Sequence, residues 1–380
     1  MTLFREDNDP RKVDLSVGVY QDEAGHTPIL ECVRIAEQQI IKEQSTKSYV
    51  GIAGNVDFNE RMETLLFGDN HPARRAGRIS SVQTPGGSGG LCVAGHCLVR
   101  AKPDAQVWLS DPSWPNHLPL LRLSGLNLKQ YSYYDYENHC INFESMTATF
   151  NELSYGDVVL LHGCCHNPCG ADLSQDQWNV LTNIFKERGI VPFIDLAYQG
   201  LSEGLEEDAY GVRLMAEKLD EIIVVTSCSK NLGLYRERVG MTSLVSKDEG
   251  QAKAVQSTLG NVARGIYSMP PDHGAAVAGR VLSDRKLHQL WVQELGEMRT
   301  RLNTFRKLFV EKTKERNAPR DFSFIAREKG MFSFLGLSRE QVIQLREEFH
   351  IYMLESSRIN IAGINQSNID YVADSIVAVL

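Results

Sequence analysis

The chain has 380 residues, enough to bury one large core with a smaller unit beside it. Its 42% hydrophobic and 23% charged content is that of an ordinary folded protein, so disorder is excluded as the default. Forty Lys and Arg against 48 Asp and Glu leave a net charge of −8, which argues against nucleic acid or an anionic membrane as the main partner while allowing a local basic pocket.

Met1 to Arg11 is polar and charged, with no apolar segment ahead of a small-residue cleavage site, so no secretory signal is read there. No apolar run reaches membrane-spanning length. The eight cysteines are scattered, without the spacing of a small secreted framework, and the expectation is a reduced, cytoplasmic protein.

In chain order, the first chemical signal is Thr84-Pro85-Gly86-Gly87-Ser88-Gly89-Gly90, followed by the apolar stretch Leu91 to Arg100. Glycines let a backbone approach an anion, and a helix starting there would offer free N–H groups and the positive end of its dipole. The same residues serve equally as a tight turn, and they match neither a P-loop nor a dinucleotide fingerprint. Four near-continuous apolar runs then predict strands buried on both faces: Gln106 to Leu109, Asp157 to Leu161, Ile190 to Ile194 and Glu221 to Val225. Between the second and third runs, Ser174 and Gln177 form a capping box, Trp178, Leu181 and Phe185 share one face, and Gly189 is a stop. Such a strand–helix–strand unit predicts a mostly parallel sheet between helices. From Trp291, the steps to Leu295, Met298, Leu302, Phe305 and Phe309 predict one long amphipathic helix. A second capping box, Ser338 with Gln341, opens a helix through Phe349; with strand-like Phe332 to Phe334 and Arg358 to Ile361, it predicts a smaller C-terminal α/β unit.

Functional groups of open parallel sheets collect at the carboxyl ends of strands. Those ends carry Trp114, His162 to Asn167, Asp195 with Tyr198, and Ser227 with Lys230. Taken alone, Asp195 and Lys230 read as an ion pair. The surroundings suggest more. A lysine tied as an imine to a carbonyl cofactor needs no free amine at rest, and Ser227 with Arg238 would hold that cofactor's phosphate. An aspartate beside a pyridinium N–H keeps the ring electron-withdrawing, which is the arrangement pyridoxal phosphate requires.

The chain resembles the aspartate/aromatic amino-acid aminotransferases, fold type I pyridoxal-phosphate enzymes, over almost its whole length. The resemblance rests on Val13 to Tyr20 (VDLSVGVY), Thr46 to Gly51 (TKSYVG), Gln83 to Gly89 (QTPGGSG) and Asp111 to His117 (DPSWPNH). It continues through Gly163 to Pro168 (GCCHNP), Asp195 to Gly200 (DLAYQG), Ser229 to Gly240 (SKNLGLYRERVG) and Ser357-Arg358. It implies a large domain over 28–297 and a small domain from 1–27 and 298–380. It implies Lys230 as the Schiff-base residue and proton shuttle, and Asp195 on the pyridine nitrogen with His117 orienting it from behind. Tyr198 and Asn167 would face the phenolic oxygen, with Trp114 stacked on the ring. Gly87, Ser88, Ser227 and Arg238 would hold the phosphate, joined by Tyr49 of a partner subunit. Arg358 would grip the substrate α-carboxylate with Asn167 and the Gly18 backbone, and Arg264 would reach a dicarboxylate side chain across a homodimer. The reaction implied moves an amino group from aspartate, aromatic amino acids or both to 2-oxoglutarate; an aromatic-preferring enzyme is the alternative.

Each residue has a plainer reading: Trp114 and His117 as core, Tyr49 and Arg264 as surface, Arg358 as a structural ion pair. Against the family pattern, the stretch before Val13 is short for a subunit-clasping arm. Cys169 stands for threonine, Ser357 for glycine and Met269 for asparagine or serine, and Cys228 lies near a frequent tyrosine. The rival from another class is a metal or redox protein built on His162, Cys164, Cys165, His166 and Cys169. Their spacing lacks the usual gap between ligand pairs and finds no second pair, so no metal is expected. A decarboxylase on the same fold is disfavoured because an anchored α-carboxylate leaves the C–H bond aligned for cleavage.

Overall fold

The computed structural model describes residues 2–380. Seven strands form the central sheet: β1 (Ile79–Pro85), β2 (Gln106–Asp111), β3 (Asn127–Ser132), β4 (Val158–His162), β5 (Val191–Leu196), β6 (Ile222–Ser227) and β7 (Val239–Val245). Their order is β1-β7-β6-β5-β4-β2-β3, with β7 antiparallel to both neighbours and the other pairings parallel. The four predicted runs are β2, β4, β5 and β6, each shifted or extended toward its carboxyl end.

The near-continuous hydrophobicity of those runs has a simple packing basis. Val158, Leu160, Phe193, Ile223 and Val225 pack into one layer, against Leu91, Ala94 and Leu98 of helix α1 (Gly86–Ala101). Their neighbours Val159, Leu161, Ile194 and Val224 point the other way, into a core shared with Trp178, Leu181 and Phe185 of helix α2 (Gln175–Arg188). Alternate residues of one strand thus enter different apolar layers. Helix α2 begins at the predicted Ser174–Gln177 capping box and ends at Gly189 in the left-handed region.

Helix α3 (Glu249–Tyr267) covers β1 near the sheet's end, with Ser80 Oγ donating to the Ala252 carbonyl at 2.6 Å. Helix α4 (Arg285–Glu315) has 31 residues, about 46 Å at 1.5 Å per residue. It buries the predicted stripe from Trp291 to Phe309 and passes unbroken through residues 297 and 298. Beyond it, Phe332–Phe334 pairs antiparallel with Arg358–Asn360, and Val13–Asp14 pairs parallel with Ile351–Tyr352. The predicted strand over Arg358 to Ile361 is shorter, because Ile361 starts a 3-10 turn. Asn360 Nδ2 donates to the Val17 and Val19 carbonyls at 2.6 and 2.8 Å, tying the segment around Gly18 to the strand that carries Arg358. Among the described residues, no helix is long and apolar enough to cross a membrane.

Candidate active site

Strand β7 decides where the site lies. Gly240 pairs with Thr84 on one side and Ser227 on the other, so the carboxyl ends of β1 and β6 meet at the start of β7. The turn Gly86-Gly87-Ser88, the Ser227-Cys228-Ser229-Lys230 segment and Arg238 converge there. Gly86 has φ +70°, and a Cβ on it would lie 2.5 Å from Arg238 Nη2, so the guanidinium rests where a side chain would be. Helix α1 has Pro85 at its N-cap and no side-chain cap, which leaves its first N–H groups free. Arg238 has no carboxylate partner among the described residues; its Nη1 donates to Ser229 Oγ (3.4 Å) and the Tyr235 carbonyl (3.2 Å). A helix N-terminus, three serine hydroxyls and an uncompensated guanidinium together make an anion site.

The cavity beyond this cradle is about 230 Å³. Asp195, at the end of β5, and Lys230, after β6, both line it, with Trp114, Asn167 and Tyr198 in its walls. Burial alone would raise the Asp195 carboxyl. The hydrogen bond from His117 Nε2 at 2.8 Å, with the fields of His117, His162 and Lys230, outweighs burial and holds it below the usual aspartate value. Because a carboxylate accepts, Nε2 of His117 carries a proton, and Nδ1 meets Ser113 Oγ at 2.8 Å. Ser113 Oγ in turn lies 3.2 Å from Nε2 of His162, whose pKa burial pushes down to about 3. Asp195 is thus an anion fixed from behind by a chain of hydrogen bonds. Burial also lowers the Lys230 pKa, partly opposed by Asp195 and reinforced by Arg238. Its Nζ sits 5.0 Å from the centre of the Tyr198 ring.

Arg358 lies behind Asn167. Its Nη1 donates to Asn167 Oδ1 at 3.2 Å and its Nη2 to the Ser16 carbonyl at 2.9 Å, and the guanidinium carbon stands 4.3 Å from the Phe332 ring centre. Its Nε is buried without a partner, a donor left over for an anion. Gly18 also lines the cavity.

The chain belongs to the class I and II aminotransferases. The family described as aminotransferase class I and II matches residues 10–376. The aspartate aminotransferase of Escherichia coli (strain K12) is 46% identical over 378 residues, covering 100% of this chain and 96% of that protein. The aromatic-amino-acid aminotransferase of Paracoccus denitrificans is 41% identical, covering 100% of this chain and 95% of that one. The crystal structure of aromatic-amino-acid aminotransferase from Burkholderia pseudomallei, covalently bound to pyridoxal phosphate, superimposes with a TM-score of 0.98 at 43% identity, over 100% of this chain and 95% of that chain.

This aminotransferase is a pyridoxal-phosphate-dependent transaminase of fold type I. Its residues fit the cofactor on their own chemistry. The α1 N-terminus with Ser88, Ser227, Ser229 and Arg238 suits a phosphate ester, ionised Asp195 suits a protonated ring nitrogen, and Lys230 stands in the same cavity for the aldehyde.

The structure gathers Gly18, Gly87, Ser88, Trp114, Asn167, Asp195, Tyr198, Ser227, Lys230 and Arg238 around one cavity, with His117 and Arg358 directly behind it. It does not bring Tyr49 or Arg264 there: Tyr49 is 92% exposed, Arg264 is exposed on α3, and neither lines the cavity. Sequence reading passed over Ser113, Ser229 and Tyr235. All three lie inside the quoted motifs, and Ser113 stands four residues before His117, the signal that could have found it. The Cys/His cluster is absorbed into packing. His166 stacks on Tyr133 and meets Ser110 and Cys169, and no group of three ligands suited to a metal occurs among the described residues. Ser357 holds φ +67°, with its Oγ accepting from Leu337 N at 2.9 Å. Met269 Sδ accepts from Val50 N at 3.1 Å, next to Tyr49.

Proposed function

We propose that this transaminase takes amino groups from aspartate, aromatic amino acids or both and delivers them to 2-oxoglutarate in a ping-pong cycle. The observation that carries this reading is the buried, unpartnered Nε of Arg358, one residue away from a cavity that holds Lys230 and Asp195. Relatives named for both donor classes support the choice of donors.

In this reading the α1 N-terminus, Gly87, Ser88, Ser227 and Arg238 hold the phosphate, and Asp195 keeps the ring nitrogen protonated while His117 fixes the carboxylate. Tyr198 and Asn167 face the phenolic oxygen, and Trp114 packs on the ring. When bound, pyridoxal phosphate supplies a conjugated, electron-withdrawing ring that takes up the electron pair of the breaking α-C–H bond. Arg358, with Asn167 and the Gly18 backbone, anchors the substrate α-carboxylate, which leaves the C–H bond as the one aligned to break. Lys230 Nζ, its basicity reduced by burial, takes the proton from the donor's α-carbon and returns one to the acceptor's α-carbon.

The active unit is a homodimer in which Tyr49 of one subunit completes the other's phosphate site and Arg264 receives a dicarboxylate side chain. Exposed Ile41, Tyr49, Ile52, Val56 and Ile266 support such a contact. The large domain spans 28–297 and the small domain 1–27 with 298–380, with α4 bridging them. Eight free cysteines support a cytoplasmic location. The test is kcat/KM for aspartate, tyrosine and phenylalanine with 2-oxoglutarate. Turnover of none overturns the donor assignment; an aromatic preference above about tenfold selects the aromatic-preferring alternative.

A further inference from the structure

Two loops deliver the wall residues Asn167 and Tyr198, one after β4 and one after β5, and a single carboxylate joins them. Asp172 accepts from two successive backbone donors, Cys165 N to Oδ2 at 2.7 Å and His166 N to Oδ1 at 2.8 Å. Its Oδ2 also accepts from Ser202 Oγ at 3.0 Å, and Ser202 directly follows the turn that begins at Tyr198, where Leu201 N donates to the Tyr198 carbonyl at 3.0 Å. Ser202 N is held in turn by Asp208 Oδ2 at 3.0 Å, which also accepts from Gly200 N at 2.8 Å.

The clamp sits where the backbone needs one. Cys165 has φ +49°, a conformation non-glycine residues adopt at a cost. A carboxylate receiving the N–H groups of residues 165 and 166 holds that kink, and the kink sets the direction in which Asn167 leaves the strand. Burial raises the Asp172 carboxyl to about 6, with Asp208 adding to the rise and the two backbone bonds opposing it. Above that pH, both oxygens are acceptors.

We propose that Asp172 is a positioning residue for the transamination site, locking the loops of Asn167 and Tyr198 into one register so that both reach the cofactor's phenolic oxygen together. The proposal rests on the roles given to Asn167 and Tyr198 above. Asp172→Asn keeps the shape but places an amide donor against backbone donors, so one bond is lost.

The experiment is a pH titration of the visible absorbance of the holoenzyme, with thermal melting alongside, for wild type, N167A, D172N and S202A. Donors on the phenolic oxygen lower its proton affinity, so loosening them raises the midpoint. The expected result is an upward shift of about 0.5 unit or more in D172N, in the direction seen for N167A, and a smaller one in S202A. If N167A shifts the midpoint while D172N lowers only the melting temperature, the clamp is merely structural and the proposal falls. If D172N does not fold, S202A decides: an unmoved midpoint overturns the proposal. An unmoved N167A overturns the underlying site roles and this proposal with them.

Discussion

Gly240 is the residue on which the phosphate cradle turns, and replacing it with alanine tests that directly. An added Cβ would lie 2.6 Å from the Thr226 carbonyl oxygen, 2.7 Å from the Gly86 carbonyl carbon and 2.9 Å from the Gly86 oxygen. All three are backbone atoms, so no side chain can swing aside. Overpacking of this kind costs about 1–3 kcal/mol. Relief requires β7 to move away from the ends of β1 and β6, which carries Gly86 to Ser88 away from Ser227. Losing one charge-assisted phosphate bond through that movement costs about 1.5–3 kcal/mol, so the dissociation constant of pyridoxal phosphate should rise by about 10- to 150-fold. Equilibrium dialysis of the cofactor measures this, with the melting temperature of cofactor-free protein followed in parallel. Gly296→Ala is the control: its Cβ meets nothing nearer than Arg299 Nη2 at 3.8 Å, and an alanine inside α4 should stabilise slightly. Cofactor binding in G240A within about twofold of wild type would refute the cradle argument.

Other outcomes follow from the same geometry. K230A should lose turnover and show no covalent adduct after borohydride treatment with pyridoxal phosphate; an adduct of equal yield at another residue would reject Lys230 as the attachment point. Mixing K230A with R264L subunits under exchange conditions should restore activity toward aspartate to about a quarter of wild type, because in the proposed homodimer half the dimers would be mixed and each would hold one intact site. No recovery despite subunit exchange would remove Arg264 from the partner's site. His162 is held neutral down to about pH 3 but protonates near 6.5 when unfolded. The unfolded chain binds more protons between those values, so stability should fall as pH drops through that window, by up to about 1.4 kcal/mol per unit. His162→Asn should flatten the slope in denaturant titrations at pH 6.5 and 4.5, and an unchanged slope would contradict the assignment.

The amino-acid sequence by itself determined the strands β2, β4, β5 and β6, the capped helix α2, the stripe of α4 and most of the residues that line the cavity. Buried apolar runs and capping boxes are local signals, and a motif's residues travel with it. Strands β1 and β7 were invisible because polar residues interrupt their buried positions, with Ser81, Gln83, Thr84, Thr242 and Ser243 buried beside Val82, Val239, Met241 and Val245. Ser81 Oγ meets Ser243 Oγ at 2.8 Å, Thr242 Oγ1 donates to the Gly90 carbonyl at 3.0 Å, and Gln83 Nε2 donates to the Pro271 carbonyl at 2.7 Å. Each polar group is satisfied by a residue distant in the chain, so no periodicity announces the strand. Tertiary structure alone decided that an antiparallel β7 would draw Gly86, Ser227 and Arg238 together, and that Ser113 would complete the support of Asp195. Those are distances between separate segments, fixed by strand pairing and packing rather than by any residue's neighbours in sequence.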